Sequence, residues 1–249
     1  MLSFLKSKPI LKDLLDGSFV DIHSHILPGI DDGAKTIQHT KNLIKSLEEI
    51  GVSQFVTTPH ISHYIWDNTP QTITNTYRET KHILEKENIN ISFKAAAEYF
   101  MDDWFEKHFK DEELLTLKDN YVLVEMSYMN APLELYKILF DLQVAGYIPV
   151  LAHPERYIFY HKSFNEYEKL KRAGCRFQLN LLSIVGYYGG EITKIAEELL
   201  KKGMYDFAGT DVHHAKHIKA FDEKVNIKSV SNLKEVIANN AFFKFQEGN

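Results

Sequence analysis

The chain has 249 residues, of which 44% are hydrophobic and 25% charged, and its formal net charge is −5. This composition predicts a globular protein of one large or two small domains, and the negative charge with scattered Lys and Arg argues against a nucleic-acid partner. No apolar run approaches the ~18 residues that span a bilayer, and residues 1–16 lack the apolar stretch of a signal peptide, so we expect a cytoplasmic protein.

Short β-rich runs alternate with longer helical patterns along the chain. Strands are predicted at 18–24, 52–58, 90–97, 120–126, 147–152, 175–180 and 204–209. Helices are predicted near 35–50, 70–87, 132–145, 164–173, 189–202 and 231–239. Strands that alternate with helices of this length form parallel sheets, and about seven such units without a domain break predict one α/β barrel of the TIM type.

Two kinds of residue support the predicted boundaries. Pro132 is expected in the first turn of its helix. The glycines expected just past helix ends are Gly146, Gly174 and Gly203. We divide the chain into an N-terminal extension at 1–17, either a docked helix or a tail, and a barrel domain at 18–249.

The string FVDIHSHILPGIDDG, residues 19–33, places two histidines at the end of the first predicted strand. Because strand side chains alternate between faces, His23 and His25 project from the same face, and two adjacent imidazoles suit a metal ion better than a hydrophobic core. Asp21 shares that face and is expected to support the ligands rather than bind metal. Asp31 is expected in a turn or at a helix cap. Taken alone, the histidine pair could also arise by chance.

More imidazoles and carboxylates lie at the ends of other predicted strands. They are His60, Glu98, Glu125, His153, Asp211 and His213. The carboxyl ends of parallel barrel strands converge on one face, so residues about 190 positions apart are predicted to meet in one cavity. Glu125 is the strongest single indication, because it interrupts the apolar run 121–124 and a buried carboxylate needs a cation or hydrogen-bond donors. Together the set predicts a polynuclear metal site.

The available ligand atoms narrow the choice of metal. Imidazole nitrogens and carboxylate oxygens fit Mn²⁺, Fe, Zn²⁺ and Co²⁺, and Mg²⁺ less well. The four carboxylates of the site carry about −4, whereas two or three dications carry about +4 to +6. These carboxylates belong to Asp32, Glu98, Glu125 and Asp211. With three ions the pocket is net positive, which favours a phosphate dianion as substrate.

Arg156 follows His153 by three residues and is predicted to lie in the loop above the same face. There its guanidinium would clamp phosphate oxygens with a bidentate fork. The alternative is a surface arginine paired with Glu155 or another carboxylate. The candidates for aromatic walls around a ring-bearing substrate, or else for packing, are Tyr64, Trp66 and Tyr157.

Two other kinds of phosphoryl chemistry are excluded by the motifs. A nucleophilic Cys175 would need an arginine six residues later, where Leu181 stands, so we expect this thiol to be buried and inert. As the single cysteine it forms neither an intrachain disulfide nor a thiolate metal cluster. The P-loop signature of nucleotide-driven phosphoryl transfer is absent.

These residues resemble the polymerase-and-histidinol-phosphatase (PHP) superfamily. Within it, the chain is most similar to the bacterial manganese-dependent protein tyrosine phosphatases of capsule and exopolysaccharide operons, the CpsB/YwqE type. The matching strings are 21–33, 57–60, Glu98, Glu125, 153–157 and 211–213. The similarity runs from about residue 18 to the end, and residues 1–17 have no counterpart.

The resemblance implies a distorted (β/α)₇ barrel with a trinuclear site, most typically loaded with two or three Mn²⁺ ions. The implied metal ligands are His23, His25, Asp32, His60, Glu98, Glu125, His153, Asp211 and His213. Arg156 matches the phosphate-contacting arginine of the family, and turnover is expected to depend on it together with Asp211 and His153. The second arginine of the family is missing after the Asp-x-His motif. In its place the chain has His214, Lys216, His217 and Lys219.

The implied function is hydrolysis of phosphotyrosine in proteins by a metal-bound hydroxide, without a phosphoenzyme. The implied partner is a bacterial tyrosine kinase of polysaccharide export. Two alternatives remain open: a PHP phosphatase of a small metabolite such as histidinol phosphate, and a metal-stabilised regulator without turnover. A metal-dependent amidohydrolase is less favoured, because no lysine lies at a predicted strand end for carbamylation.

Overall fold

The computed structural model describes residues 8–246, in which strands and helices alternate. The strands are β1 Phe19–Asp21, β2 Val52–Thr57, β3 His60–Ile61, β4 Phe93–Ala95, β5 Glu98–Phe100, β6 Tyr121–Glu125, β7 Ile148–Ala152, β8 Arg176–Asn180 and β9 Phe207–Gly209. The helices are α1 Ile37–Glu49, α2 Pro70–Lys86, α3 Asp103–His108, α4 Leu135–Val144, α5 Asn165–Arg172, α6 Gly190–Lys201, α7 Ala215–Ala220 and α8 Val230–Asn239. Within 8–246, none of these helices has the length and apolar character of a membrane span.

The strands form two sheets in which every pair of neighbours is parallel. One sheet has the order β1-β2-β4 and the other the order β3-β5-β6-β7-β8-β9. The two sheets adjoin where the chain continues from β2 to β3 and from β4 to β5. At the far edge, beyond β9, Val212 bridges Ser24 and accepts a 2.9 Å hydrogen bond from the backbone N–H of His25. The predicted α/β class with parallel sheets is therefore confirmed.

Each of the seven predicted strands contains an observed strand, but two short strands were missed. These are β3 and β5, which begin at His60 and Glu98, so neither residue ends a strand as predicted. Pro59 has no N–H to donate and the ladder is interrupted beside it. The break between β4 and β5, at 96–97, lies beside the break between β2 and β3, because the Ala96 N–H donates a 2.8 Å hydrogen bond to the Thr57 carbonyl.

The six predicted helices are present, and the short helices α3 and α7 were missed. Six residues make fewer than two turns, too few to show helical periodicity. The placement of Pro132 was wrong, because α4 begins only at Leu135. The predicted glycines do follow helix ends in the left-handed conformation, with φ of +90°, +83° and +62° at Gly146, Gly174 and Gly203.

Buried strand residues divide between two clusters, because successive side chains point to opposite faces. In β6, Val122 and Val124 pack in the larger cluster with the helices. Leu123 instead packs in a smaller cluster among strand residues, which also includes Phe207 and Phe243. Glu125 is two residues beyond Leu123 and shares its face. The carboxyl ends of the strands thus place acidic and imidazole side chains above an apolar interior.

The described part of the N-terminal segment packs on the core. Leu11 and Leu15 are fully buried in the larger cluster. The Leu11 N–H donates a 3.0 Å hydrogen bond to the Glu223 carbonyl. Of the two expectations for this segment, a docked helix or a tail, the described residues show a docked segment with a single 3₁₀ turn at Lys12–Leu14, and residues 1–7 lie outside the described part of the chain.

Leu15→Ala should lower the free energy of unfolding by about 2–5 kcal/mol, because it removes buried apolar atoms and leaves a cavity. Urea unfolding at a fixed metal concentration measures the change. Lys12→Ala is the matched control, since this half-exposed lysine makes only a surface ion pair with Asp222, worth about 1 kcal/mol or less. Equal stability of the Leu15 variant and the wild type would contradict the docking of this segment.

Candidate metal centre

All nine predicted metal ligands lie together, seven of them at or after the carboxyl end of a strand and two, His60 and Glu98, at the start of β3 and β5. They form four overlapping groups, and within each group one ligand-type atom per residue lies within 4.8 Å of the others. The groups are His25, Asp32, His60 and His213; His23, Glu98 and His153; His23, His25 and Asp211; and His60, Glu98 and Glu125. The structure therefore brings together residues that are scattered in sequence, while their binding of metal stays a prediction.

Glu98 lies between three imidazoles and is fully buried. Its Oε2 atom is 3.1 Å from Nε2 of His23 and 3.2 Å from Nδ1 of His60, and its Oε1 atom is 3.3 Å from Nε2 of His153. Burial alone would raise the pKa of this carboxyl, but His23 and His60 outweigh it and hold the pKa well below its usual range. Glu98 is therefore an ionised carboxylate at the centre of the cluster.

Asp211 connects the histidines to Arg156. Its Oδ1 atom is 3.3 Å from Nε2 of His23 and 3.5 Å from Nε2 of His25. Its Oδ2 atom accepts hydrogen bonds of 2.8 Å from both Arg156 Nη1 and Asn180 Nδ2. One oxygen thus faces the cluster while the other is fixed by two donors.

Three imidazoles donate a hydrogen bond from Nδ1 to an oxygen atom. The acceptors are Gln178 Oε1 for His23 at 2.8 Å, Asp31 Oδ2 for His25 at 2.8 Å and the Asp211 carbonyl for His213 at 2.9 Å. A fixed Nδ1–H sets the tautomer and the orientation of the ring and leaves Nε2 as the free ligand atom. Sequence reasoning missed Gln178, whose only signal is its position near the end of a strand.

The turn that follows the first histidine pair brings Asp32 to the cluster. Asp31 lies in this turn, as predicted, and its Oδ1 atom accepts a 2.9 Å hydrogen bond from the Gly33 N–H. A Cβ atom at Gly33 would collide with the carbonyl oxygen of His25, so only glycine permits this close approach. The half-exposed Asp32 carboxylate then lies 3.4 Å from Nε2 of His213.

Two site residues have a left-handed backbone that is unfavourable for residues other than glycine. His153 has φ of +37° and Asp211 has φ of +50°, each costing roughly 1–2 kcal/mol. Hydrogen bonds hold both, since the His153 N–H donates to the Gln178 carbonyl at 2.9 Å and the Asp211 N–H donates to the His23 carbonyl at 2.7 Å. Such strain concentrates at functional sites, where surrounding contacts impose it.

Asp21 lies beneath the cluster and fixes the residue before Asp211. Its carboxylate accepts hydrogen bonds from the Thr210 N–H at 2.9 Å and from the Thr210 hydroxyl at 2.6 Å. Burial outweighs these donors and raises the pKa of Asp21 to about 6. The position agrees with a supporting role for Asp21 rather than metal binding.

Four buried ligand-type atoms in the cluster lack a hydrogen-bond partner among the described residues. They are His25 Nε2, His60 Nδ1, Glu98 Oε1 and His153 Nδ1. Buried polar atoms are almost always partnered, so four unpartnered atoms in one cluster indicate a missing ligand. The nitrogen and oxygen donor set fits first-row divalent cations.

Arg156 is held between two tyrosine rings that sequence reasoning did not identify. Its guanidinium carbon lies 4.7 Å from the ring centre of Tyr128 and 4.2 Å from that of Tyr188. Burial opposes the charge, but Tyr128 and Asp211 outweigh it and raise the pKa of Arg156. Glu155 is not its partner, because this buried carboxylate instead accepts from groups of Asn180, Ser183 and Tyr205.

A cavity of about 230 Å³ opens onto the cluster. Its aromatic wall contains Trp66, Phe100 and Tyr128. Of the three candidates for such a wall, only Trp66 lines the cavity. Tyr157 is fully buried, and its hydroxyl accepts a 3.0 Å hydrogen bond from the Met126 N–H, so it is a packing residue.

A second cavity of about 250 Å³ lies on the other side of Arg156 and is lined by His214 and His217. His217 is buried with its Nδ1 atom 3.2 Å from the backbone nitrogen of His213, and burial lowers its pKa to about 4. Lys216 and Lys219 line neither cavity. Within the described residues that line the two cavities, Arg156 is thus the one Lys or Arg side chain.

The cysteine and the histidines His39, His63 and His82 take no part in the site. Cys175 is buried, and burial raises the pKa of its thiol to about 12, as expected for an inert residue. His39 and His82 are exposed on α1 and α2. His63 stacks on Trp104 at 4.9 Å, outside the cluster.

Comparison with known proteins agrees with the resemblance drawn from the motifs. The family described as "Capsular polysaccharide synthesis, CpsB/CapC" matches residues 19–232. The tyrosine-protein phosphatase YwqE of Bacillus subtilis is 28% identical over 198 residues, which are 79% of this chain and 78% of that protein. The tyrosine-protein phosphatase CpsB of Streptococcus pneumoniae is 27% identical over 202 residues, 78% of this chain and 83% of that protein.

Solved structures give the same relationship. A chain from the crystal structures of YwqE from B. subtilis and CpsB from S. pneumoniae, described as metal-dependent tyrosine phosphatases, matches with a TM-score of 0.75 at 26% identity, covering 87% of this chain and 86% of that one. The lactonase Lmo2620 from Listeria monocytogenes matches with a TM-score of 0.52 at 10% identity, covering 94% and 97%, a likeness of fold alone. The family match spans most of the chain, which therefore belongs to the CpsB/CapC family of capsular polysaccharide synthesis.

Proposed function

We propose that this protein is a metal-dependent phosphatase that hydrolyses phosphotyrosine in proteins. The related YwqE and CpsB proteins are named tyrosine-protein phosphatases. The observation that carries the proposal is the lining of the cavity, in which every acidic or imidazole side chain belongs to the proposed ligand set. The rest of the wall contains three aromatic side chains and Arg156, a combination that fits an aryl phosphate.

We propose that the nine clustered residues would hold two or three Mn²⁺ ions, with Fe, Zn²⁺ and Co²⁺ as the other candidates. The unpartnered atoms His25 Nε2, His60 Nδ1, Glu98 Oε1 and His153 Nδ1 support this assignment. When bound, such ions supply Lewis-acid charge that binds phosphate and lowers the pKa of water. The fixed Nδ1–H groups of His23 and His25 orient their rings for this role.

Arg156 binds the phosphoryl oxygens of the substrate in this proposal. Its guanidinium is kept in one orientation by Tyr128, Tyr188 and Asp211. Because it is held before the substrate arrives, little side-chain entropy is lost on binding and charge that develops on phosphorus-bound oxygens is stabilised in place. Backbone hydrogen bonds hold His153 and Asp211 next to the metal centre, and both residues contribute to turnover through it.

The chemistry of the leaving group favours phosphotyrosine over alkyl phosphates as the substrate. With the imidazoles and carboxylates of the cavity occupied as ligands, none is left to protonate a departing oxygen. A phenolate, whose conjugate acid has a pKa of about 10, needs less help than an alkoxide. A cavity of about 230 Å³, smaller than the ~300–1,000 Å³ of typical ligand pockets, admits a side chain rather than a chain segment.

The fold that supports this site is, we infer, one distorted (β/α)₇ barrel spanning 18–249. In it, β2 with β3 and β4 with β5 count as single bent strands, since backbone hydrogen bonds cross both breaks. The bridge from Ser24 to Val212 closes the circle between β1 and β9.

The physiological substrate is a phosphorylated bacterial tyrosine kinase of polysaccharide export, in keeping with the capsule family to which the chain belongs.

The substrate test compares protein loaded with Mn²⁺ on three compounds: a phosphotyrosine peptide, the same peptide with phosphoserine, and histidinol phosphate. We expect kcat/KM for phosphotyrosine to exceed both others by at least about tenfold, or about 1.4 kcal/mol of barrier. Faster hydrolysis of histidinol phosphate would identify a metabolite phosphatase instead. A metal-loaded protein that hydrolyses none of the three would be a regulator.

His153→Ala should lower bound metal and reduce turnover of the phosphotyrosine peptide by about 100-fold or more, because even residues that support ligands affect metal affinity or activity by about 10–100-fold. Metal analysis of the purified protein provides a readout that is independent of activity. His82→Ala, on the exposed surface of α2, is the control and should match the wild type. Wild-type metal content and turnover in the His153 variant would exclude this residue as a ligand.

Arg156→Lys should reduce kcat/KM for phosphotyrosine by about 100-fold while metal content stays unchanged. Lysine keeps the charge but loses the planar fork and the stacking between the two tyrosine rings. Arg172→Lys makes the same substitution at an exposed side chain at the end of α5, outside the cluster, and should have no effect. If the Arg156 variant turns over at the wild-type rate, a charge alone suffices and the clamp is wrong.

A further inference from the structure

Exposed apolar side chains are concentrated in one stretch of the described chain. Twelve large hydrophobic side chains are exposed between residues 8 and 246, and six of them lie between positions 128 and 144. They are Tyr128, Met129, Leu133, Tyr136, Phe140 and Val144. We call these six residues the apolar strip. Large patches of exposed apolar surface mark interaction sites, whereas single exposed apolar side chains are normal.

The strip continues along one face of α4, which is apolar on two sides. The helix buries Leu135, Ile138, Leu139 and Leu142 in the core. Tyr136, Phe140 and Val144 recur at intervals of four residues on another face, where Phe140 is 64% and Val144 68% exposed. A helix that only covers the core needs a single apolar face, so the second face requires another explanation.

Charged groups border the strip on both sides. On one side, Lys137 makes ion pairs of 2.9 Å with Glu106 and 3.1 Å with Asp141. On the other side, Glu166 of α5 accepts a 3.3 Å hydrogen bond from the Tyr136 hydroxyl. An apolar centre with a polar rim is the usual anatomy of a protein-binding surface.

The strip begins at the mouth of the catalytic cavity. Tyr128 lines this cavity and stacks on Arg156 at 4.7 Å. The loop that carries Tyr128 starts directly after Glu125, and α4 then leads away from the site, since it must return to the start of β7. A chain that has inserted a side chain into the cavity would therefore meet the strip next.

We propose that the apolar strip binds the segment of the substrate protein adjacent to the phosphotyrosine, and that this segment carries apolar side chains. The proposal rests on the proposed phosphotyrosine phosphatase function. A second copy of this chain fits less well, because a copy seated on the strip would cover Tyr128 at the mouth where a protein substrate must arrive. The ten residues of α4 extend about 15 Å, which an extended peptide covers with about five residues.

The experiment uses the metal-loaded protein and three substrates: p-nitrophenyl phosphate and two phosphotyrosine peptides of equal length and charge. One peptide carries leucines two to six residues from the phosphotyrosine, and the other carries serines there. The wild type should prefer the leucine peptide by about tenfold in kcat/KM. The triple variant Leu133→Ser, Phe140→Ser, Val144→Ser should lose this preference and keep its activity on p-nitrophenyl phosphate within about twofold.

Ile83→Ser is the matched control, because Ile83 is an exposed apolar residue near the end of α2 that lies farther from the mouth. It should keep the wild-type preference. The proposal is overturned if the wild type shows no preference, or if the triple variant retains it. It is also overturned if light scattering shows a dimer that the triple variant abolishes while its peptide kinetics stay unchanged.

Peptide binding, measured by fluorescence anisotropy, separates this proposal from the proposed function. If the leucine peptide binds the wild type about tenfold more tightly than it binds the triple variant but no compound is hydrolysed, the strip is a docking surface and the phosphatase assignment fails. If p-nitrophenyl phosphate is hydrolysed and both proteins bind the leucine peptide equally, the assignment stands and the docking surface is wrong.

Discussion

Burial of several ionisable groups in one cluster is the constraint on which this structure depends. Glu98 and Asp211 are almost completely withdrawn from water, as are the imidazoles of His23, His25 and His153. Charges in such surroundings are tolerated only when opposite charges and hydrogen bonds compensate them. The carboxylates and imidazoles compensate one another in part, but four ligand-type atoms stay unpartnered. Divalent cations would complete the compensation, so the metal would stabilise the fold as well as supply the chemistry.

Much of the surrounding structure serves to fix this cluster. Gly33 lets the turn with Asp32 approach His25, and Asp21 holds Thr210 directly before Asp211. The left-handed backbone at Asp211 persists because hydrogen bonds on both sides impose it. These contacts connect the ends of strands that are distant in sequence. Substitutions that remove these contacts would displace ligand atoms without exposing any new surface. We therefore expect such substitutions to lower metal affinity more than they lower stability.

The proposed ligand set could be found from the sequence because no single structural role accounts for so many acids and imidazoles near predicted strand ends. The spacing of His23 and His25 and the carboxylate of Glu125 inside an apolar run required only strand periodicity to interpret. The two tyrosines beside Arg156 could not be found in this way. They come from loops after different strands, and no period relates them to Arg156. The strands β3 and β5 were missed because two or three residues show no alternation.

The residues that line the cavity account for recognition of the phosphate, whereas discrimination between protein substrates would require contacts elsewhere on the surface. Within the cavities, Arg156 is the one Lys or Arg side chain among the described lining residues, and the proposed metal ligands surround the rest of the phosphate site. Such a site recognises an aryl phosphate but holds nothing that reads the neighbouring sequence. Discrimination between proteins must then come from contacts outside the mouth, where binding energy from remote parts of a substrate can assist the reaction. The exposed face of α4 lies where such contacts would form, and the proposed docking role would explain why Phe140 and Val144 are exposed on a helix that already packs against the core.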